Sequence, residues 1–195
     1  MRIAPVVSAA LVLALSAGCA SVAKVESGQQ TIGGRLTVHL DGAWNRISAP
    51  GLGPAETWTM EGLPVDQLAI FSGLKDGEAI HPENRGAATK LKNFQFRSGM
   101  QAEDIAALFE GAFTRDGSRF KLVNLEPAAF GGIKGVKFEY ALTRKVDNVQ
   151  LSGVGYAAVS RGELFAIVYS APRLAFFPRH IAKVEQISRS ARIRE

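Results

Sequence analysis

The sequence predicts an α+β domain: antiparallel sheet packed with one helix in mid-chain and a second helix at the C-terminus. Three observations carry this. Runs that alternate polar and apolar side chains, the period of a half-buried strand, recur through residues 35–72 and 120–170. Turn dipeptides such as Asp41-Gly42 and Arg161-Gly162 separate them. Only the stretches 98–115 and 174–194 space their apolar residues as a helix does. With 195 residues that include 11 Phe, 3 Tyr and 2 Trp, the chain can fill one core, and disorder or a disulfide-stapled design is excluded.

Taken in order, residues 35–40 read as a strand, and Asp41-Gly42 turns the chain into a second strand over 43–47. Residues 56–60 and 66–72 form another pair around Gly62-Leu63-Pro64, which makes the front half a meander. Residues 73–95 lack periodicity, and an irregular stretch of that length inside a domain is usually functional or poorly ordered. Ser98 opens the mid-chain helix as N-cap with Gln101 as its capping-box partner, and Ile105, Leu108, Phe109, Ala112 and Phe113 form its apolar stripe. Such a stripe must cover a sheet. After Asp116-Gly117 come a strand at 120–125, a hairpin of 135–146 with 150–160 through Asp147-Asn148, and a strand at 163–170. Pro172 stops that strand, and 174–194 forms the terminal helix, with Arg189, Arg192 and Arg194 at the end that suits cations.

The first residues carry an address. Arg2 precedes the apolar stretch 3–15, and Ser16-Ala17-Gly18 supplies small residues, the pattern of a secretory signal. A stretch that short does not span roughly 30 Å of hydrocarbon. Leu15-Ser16-Ala17-Gly18-Cys19 resembles the lipobox of bacterial lipoproteins, and Cys19 is the only cysteine in the chain. Leu15 stands one place earlier than the commonest spacing. The resemblance implies a signal peptide at 1–18 and a diacylglycerol thioether on Cys19, with the new amino group acylated by a chain such as palmitate. Ala20, where Asp would retain a lipoprotein in the inner membrane, implies the periplasmic face of the outer membrane. Several acyl chains make such an anchor effectively permanent. Residues 19–34, polar and without periodicity, read as a lipidated flexible tether, so the domain is expected at 35–195.

The order of strand pairs, loop, helix, strands and helix resembles the Mog1/PsbP-like sandwich. The local features are Gly42-Ala43-Trp44, the single mid-chain helix, and Gly162-Glu163-Leu164-Phe165 running through Ser170-Ala171-Pro172 to Ser190-Ala191-Arg192-Ile193. Glu56-Thr57-Trp58-Thr59 together with Pro127-Ala128-Ala129-Phe130-Gly131-Gly132 resembles a group of proteobacterial lipoproteins to which no activity attaches.

No motif names a reaction. His39, His81 and His180 lie far apart, without metal-ligand spacing, and are expected as an outward strand residue, a loop residue and a polar helix position. No serine sits in a nucleophile elbow, and a lipidated Cys19 cannot attack a substrate. Gly131-Gly132-Ile133-Lys134-Gly135 lacks the spacing of a phosphate loop and reads as a turn. A net charge of +5 from scattered Lys and Arg, without an aromatic-basic platform, speaks against nucleic acid. The expectation is a non-enzymatic interaction or envelope-assembly module with no cofactor and no metal. Its partners would be the membrane, through the lipid, and an envelope protein met by 73–95. The alternative is a domain that binds a small ligand or an envelope polymer. Trp58 and His81 are the candidate contacts, although aromatic strand residues are by default core.

Overall fold

Apolar side chains fill both faces of the run Leu164–Ala171, so this strand must sit in the middle of a sheet covered on each side. The structure, a computed structural model, describes residues 20–81 and 94–194. Its strands are β1 (Ser21–Val25), β2 (Gly28–Ile32), β3 (Leu36–Leu40), β4 (Trp44–Ser48), β5 (Glu56–Thr59) and β6 (Gln67–Leu74). Helix α1 (Ala102–Thr114) follows, then β7 (Arg119–Phe130), β8 (Ile133–Thr143), β9 (Gln150–Ser160), β10 (Glu163–Pro172), α2 (Phe176–Ser190) and the short β11 (Arg192–Ile193). Eight strands form one antiparallel sheet in the order β1-β4-β5-β6-β10-β9-β8-β7, and β11-β3-β2 form a second.

Strand β10 sorts the core into two. Phe165, Ile167 and Tyr169 face a cluster containing Leu36, Val38 and Leu40 of β3 and Val184 and Ile187 of α2. Leu164, Ala166 and Val168 face the other way, among Ile105, Leu108 and Phe109 of α1. The layers are α1, the large sheet, and then α2 with the small sheet. The expected α+β sandwich is therefore present, sheet-rich and with only two helices among the described residues.

Several boundaries differ from expectation. Residues 19–34 were expected as a tether, yet β1 pairs with β4 from Ser21↔Ser48 to Val25↔Trp44, and β2 pairs with β3. Both are edge strands in which only Val25 and Ile32 are buried, so neither carries the apolar alternation that announces a strand. Among the described residues the first strand thus begins at Ser21, ahead of the expected domain start at Arg35. Nor do β3 and β4 form a hairpin: they lie in different sheets, and Gly42, at φ +104°, redirects the chain between them.

Helix α1 starts at Ala102, because the Gln101 backbone N–H donates to Asp104 Oδ2 at 3.0 Å, while the Ser98 N–H donates to Asp76 Oδ1 at 2.7 Å. The ends of the stretch expected to be irregular are hydrogen-bonded to each other, Phe96 N–H to Glu78 O at 2.9 Å and Ile80 N–H to Phe94 O at 3.2 Å. Residues 82–93 of that stretch lie outside the described residues, as does the signal at 1–18 with Cys19. The C-terminal helix stops at Ser190, whose hydroxyl accepts the His39 N–H at 2.8 Å, and the chain continues as β11. Among the described residues no helix is long and apolar enough to cross a membrane.

On β9, Gly153 and Gly155 lie opposite Tyr140 and Phe138 of β8, whose rings occupy the space a Cβ would need. A methyl group there meets a buried ring in close-packed surroundings. Gly155→Ala is expected to cost about 1–3 kcal/mol, read as a lowered urea midpoint at unchanged slope, whereas Gly99→Ala, with open space around it, should stay within about 0.5 kcal/mol.

Candidate functional site

At one end of the strands lies a recess of about 440 Å³, lined by Leu63, Pro64, His81, Phe113, Arg144 and Ser170 among others. It sits where β6 and β9 begin, where β8 and β10 finish and where α1 ends. Antiparallel pairing brings these termini together from segments far apart in sequence.

Its walls are built from anchored groups. Arg144 donates through Nη1 to Pro64 O at 2.8 Å, and through Nε and Nη2 to the two oxygens of Asp147 at 3.0 and 2.6 Å. This two-pronged pair holds the β8–β9 connection against the turn 60–66. The turn is itself fixed by the buried Asp66 carboxylate, which accepts the Thr59 hydroxyl and the N–H groups of Met60 at 3.0 Å and Glu61 at 2.8 Å. Glu61 then reaches α2, meeting His180 Nε2 at 2.8 Å and Arg179 Nη1 at 3.1 Å. Those two contacts, His180 first, hold its carboxyl below the ordinary glutamate value. On the other rim, Asp116 Oδ1 accepts the Ser118 N–H at 2.8 Å, and Ser118 Oγ accepts the Lys145 N–H at 3.0 Å.

Arg144 and Asp116 are thus occupied in holding the rim, which leaves them poorly placed for acid–base work on a substrate. Between them lies an apolar floor of Leu142, Leu151 and Ala112. Rigid walls around apolar surface suit binding. Among the described residues no group of three His, Cys, Asp or Glu side chains is placed to hold a metal ion.

Of the residues singled out in the sequence, His81 lines the recess. Trp58 does not reach it. It is 1% exposed, lies in the cluster facing α2 and the small sheet, and donates from Nε1 to Glu56 Oε1 at 2.7 Å, so it is core and not a surface contact. His39 points outward on β3 as expected, whereas His180, expected as a polar helix position, is buried against Glu61. The sequence pointed to none of Pro64, Phe113, Arg144 or Asp116 as a site. Asp116-Gly117 and Asp147-Asn148 were visible only as turn signals, and convergence on one recess is a tertiary property.

The solution structure of the cyanobacterial PsbP protein CyanoP from Synechocystis sp. PCC 6803 is similar over 92% of this chain and 96% of that one, with a TM-score of 0.57 at 14% identity. The fold is PsbP-like. At that identity the likeness extends to the fold alone. A crystal structure of a protein of unknown function from Pseudomonas aeruginosa overlaps 83% of this chain and 93% of that one at 15% identity, with a TM-score of 0.40. No family model matches the sequence, and a search of curated proteins returns no match.

The rim titrates. The Arg144 guanidinium beside Asp147 holds its carboxyl below the usual aspartate value. Burial pushes Asp116 up, but the Ser118 N–H and hydroxyl outweigh it, and Asp116 too ends below the usual value. A carboxyl whose folded value is depressed adds stability that is complete above its unfolded value and is lost as pH falls through the folded one. Asp147→Asn should therefore flatten the acid side of the stability profile below about pH 4 and leave its slope near neutrality unchanged. Urea midpoints measured across pH check this, and a profile superimposable on the parent's would contradict it.

Proposed function

We propose that the protein is a lipid-anchored, non-catalytic docking module of the outer membrane's periplasmic face, held by Cys19 and presenting its recess to an envelope protein. The observation that carries this reading is the place where the chain enters the sheet. Strand β1 begins at Ser21, two residues after Cys19, in register with Ser48 at the end of β4. Passing across the sheet, that end is also where β5 begins and β6 finishes, since Glu56 pairs with Ile70 and Leu74 with Leu164. The recess lies at the other end, where β6 begins at Gln67. A lipid on Cys19 would then leave from one end of the strands while the recess faces away from the membrane. Eight residues of β6 span about 23 Å at roughly 3.3 Å per residue, enough to lift the recess clear of the headgroups.

Engagement of Arg144 and Asp116 in the rim supports docking over chemistry. A small ligand or polymer fragment is the second reading, favoured by a recess volume within the range of about 300–1,000 Å³ typical of ligand sites. A thermal-shift screen against lipids, glycans and metals separates it, because a ligand of the folded state raises the midpoint by mass action.

Cys19→Ala is expected to move the protein from the outer-membrane fraction to the soluble periplasm. In cells carrying the parent chain, a photocrosslinker at Val146, 81% exposed in the β8–β9 connection beside Arg144, should capture a discrete envelope protein. Unchanged fractionation of the Cys19 variant would contradict the anchor, and absence of any crosslink at Val146 would contradict the docking surface.

A further inference from the structure

At the corner of the sheet where β1 begins, one exposed and several partly buried apolar side chains lie close together. Val22, on the edge strand, is 66% exposed, although a β-branched apolar side chain gains nothing from water there. Its cross-strand partner is Ile47, which is only partly buried. From Ser48 the chain enters the loop Ala49-Pro50-Gly51-Leu52-Gly53-Pro54-Ala55, seven residues without one charge or hydrogen-bonding side chain. Ile47, Ala49, Leu52 and Pro54, together with Ser48 and the paired Arg46 and Glu56, line an open hollow of about 390 Å³ at this corner. Pro50, Gly51, Gly53 and Pro54 are ordinary turn residues, but a solvated loop between strands usually adds Asn, Asp or Ser that satisfy its own backbone. This one does not.

We propose that this corner, Val22 with Ile47 and the loop 49–55, is a bilayer-contact surface that seats the domain on the lipid headgroup boundary in a fixed orientation. The proposal rests on the lipid-anchored reading and deepens it. The described chain starts at Ala20, and Ser21 is paired with Ser48, the residue from which the loop departs. Two residues of chain reach at most about 7 Å, so acyl chains on Cys19 would enter the bilayer beside the loop. Tethering at that range makes contact intramolecular, and a weak apolar interaction that could not recruit the protein from solution suffices to orient it. The neighbouring charges do not oppose it: Arg46 pairs with Glu56 at 3.7 Å and Lys24 with Glu26 at 2.9 Å. Small apolar and proline residues with one leucine fit the boundary between headgroups and acyl chains, where shallow insertion costs no buried charge.

If Cys19 is lipidated, its thiol is consumed, and an introduced cysteine becomes the single labelling site in the full mature chain. Leu52→Cys and Val146→Cys, each purified with its native lipid and labelled with an environment-sensitive fluorophore, are placed in vesicles of phosphatidylethanolamine and phosphatidylglycerol. The expected result is blue-shifted emission from position 52 that is largely lost when the lipids carry a nitroxide, with emission from position 146 unchanged. A lipidated chain whose label at 52 stays in water overturns the contact surface and leaves the anchor standing. A label protected only as protein concentration rises, without nitroxide quenching, assigns the corner to a second copy of the chain and also overturns it. An intact thiol on the native protein, read by mass, overturns the anchor and the orientation together.

Discussion

The structure depends on the burial of β10 on both of its faces. Phe165, Ile167 and Tyr169 point one way and Leu164, Ala166 and Val168 the other, so the central strand cannot face water on either side. Each face requires a cover, and each cover is a helix supplemented by other chain: α1 with Ile80 and Phe96 on one side, α2 with the three-stranded sheet on the other. Apolar area removed from water at about 25 cal/mol per Å² drives this arrangement. Ion pairs tie it at the margins, as where Arg35 meets Glu163 and lies over the Phe165 ring at 5.2 Å to its centre. With both faces closed at the centre, the open surface of the large sheet lies at its ends and toward its edges, as along β7. The edge at β7 is interrupted by a register shift between Leu122 and Asn124 and by Pro127, devices that discourage pairing with another chain.

Legibility in the sequence follows burial. Strands β8, β9 and β10 and the stripe of α1 were readable because their side chains alternate or recur against a core, and the positive φ angles of Arg161 and Gly162 match the tight turn expected there. Strands β1 and β2 were not, since one buried residue apiece leaves no period to detect. A different cause misplaced the start of α1: Asp104 caps Gln101, and Ser98 instead answers to Asp76, a partner 22 residues away that no local pattern reveals. His81 was named as a candidate contact for its position in an irregular stretch, whereas Arg144 was passed over because nothing local distinguishes it from other surface arginines. His180 could not be read as buried without knowing that Glu61 would lie beside α2.

The two ends of the large sheet invite different roles. One collects the rim groups Arg144 and Asp116, each committed to an internal partner, around an apolar floor, with the turn behind Pro64 fixed by Asp66. The other receives the chain from Cys19 beside an uncharged loop. On the proposed reading, a PsbP-like sandwich would separate attachment from presentation by the length of its strands, with no spacer needed between them. The same fold on a long tether would present its recess in every direction.

That distinction turns on whether residues 21–25 are part of the sheet in solution, and native-state amide exchange of the protein purified from its native membrane in detergent or vesicles measures it directly. The account predicts that amides of β1 bonded to β4 exchange far more slowly than those of an unfolded chain, in step with β4 itself. Exchange of residues 21–25 at unfolded-chain rates, with β4 and β5 still protected, would mean a free tether at the anchor and would contradict the account.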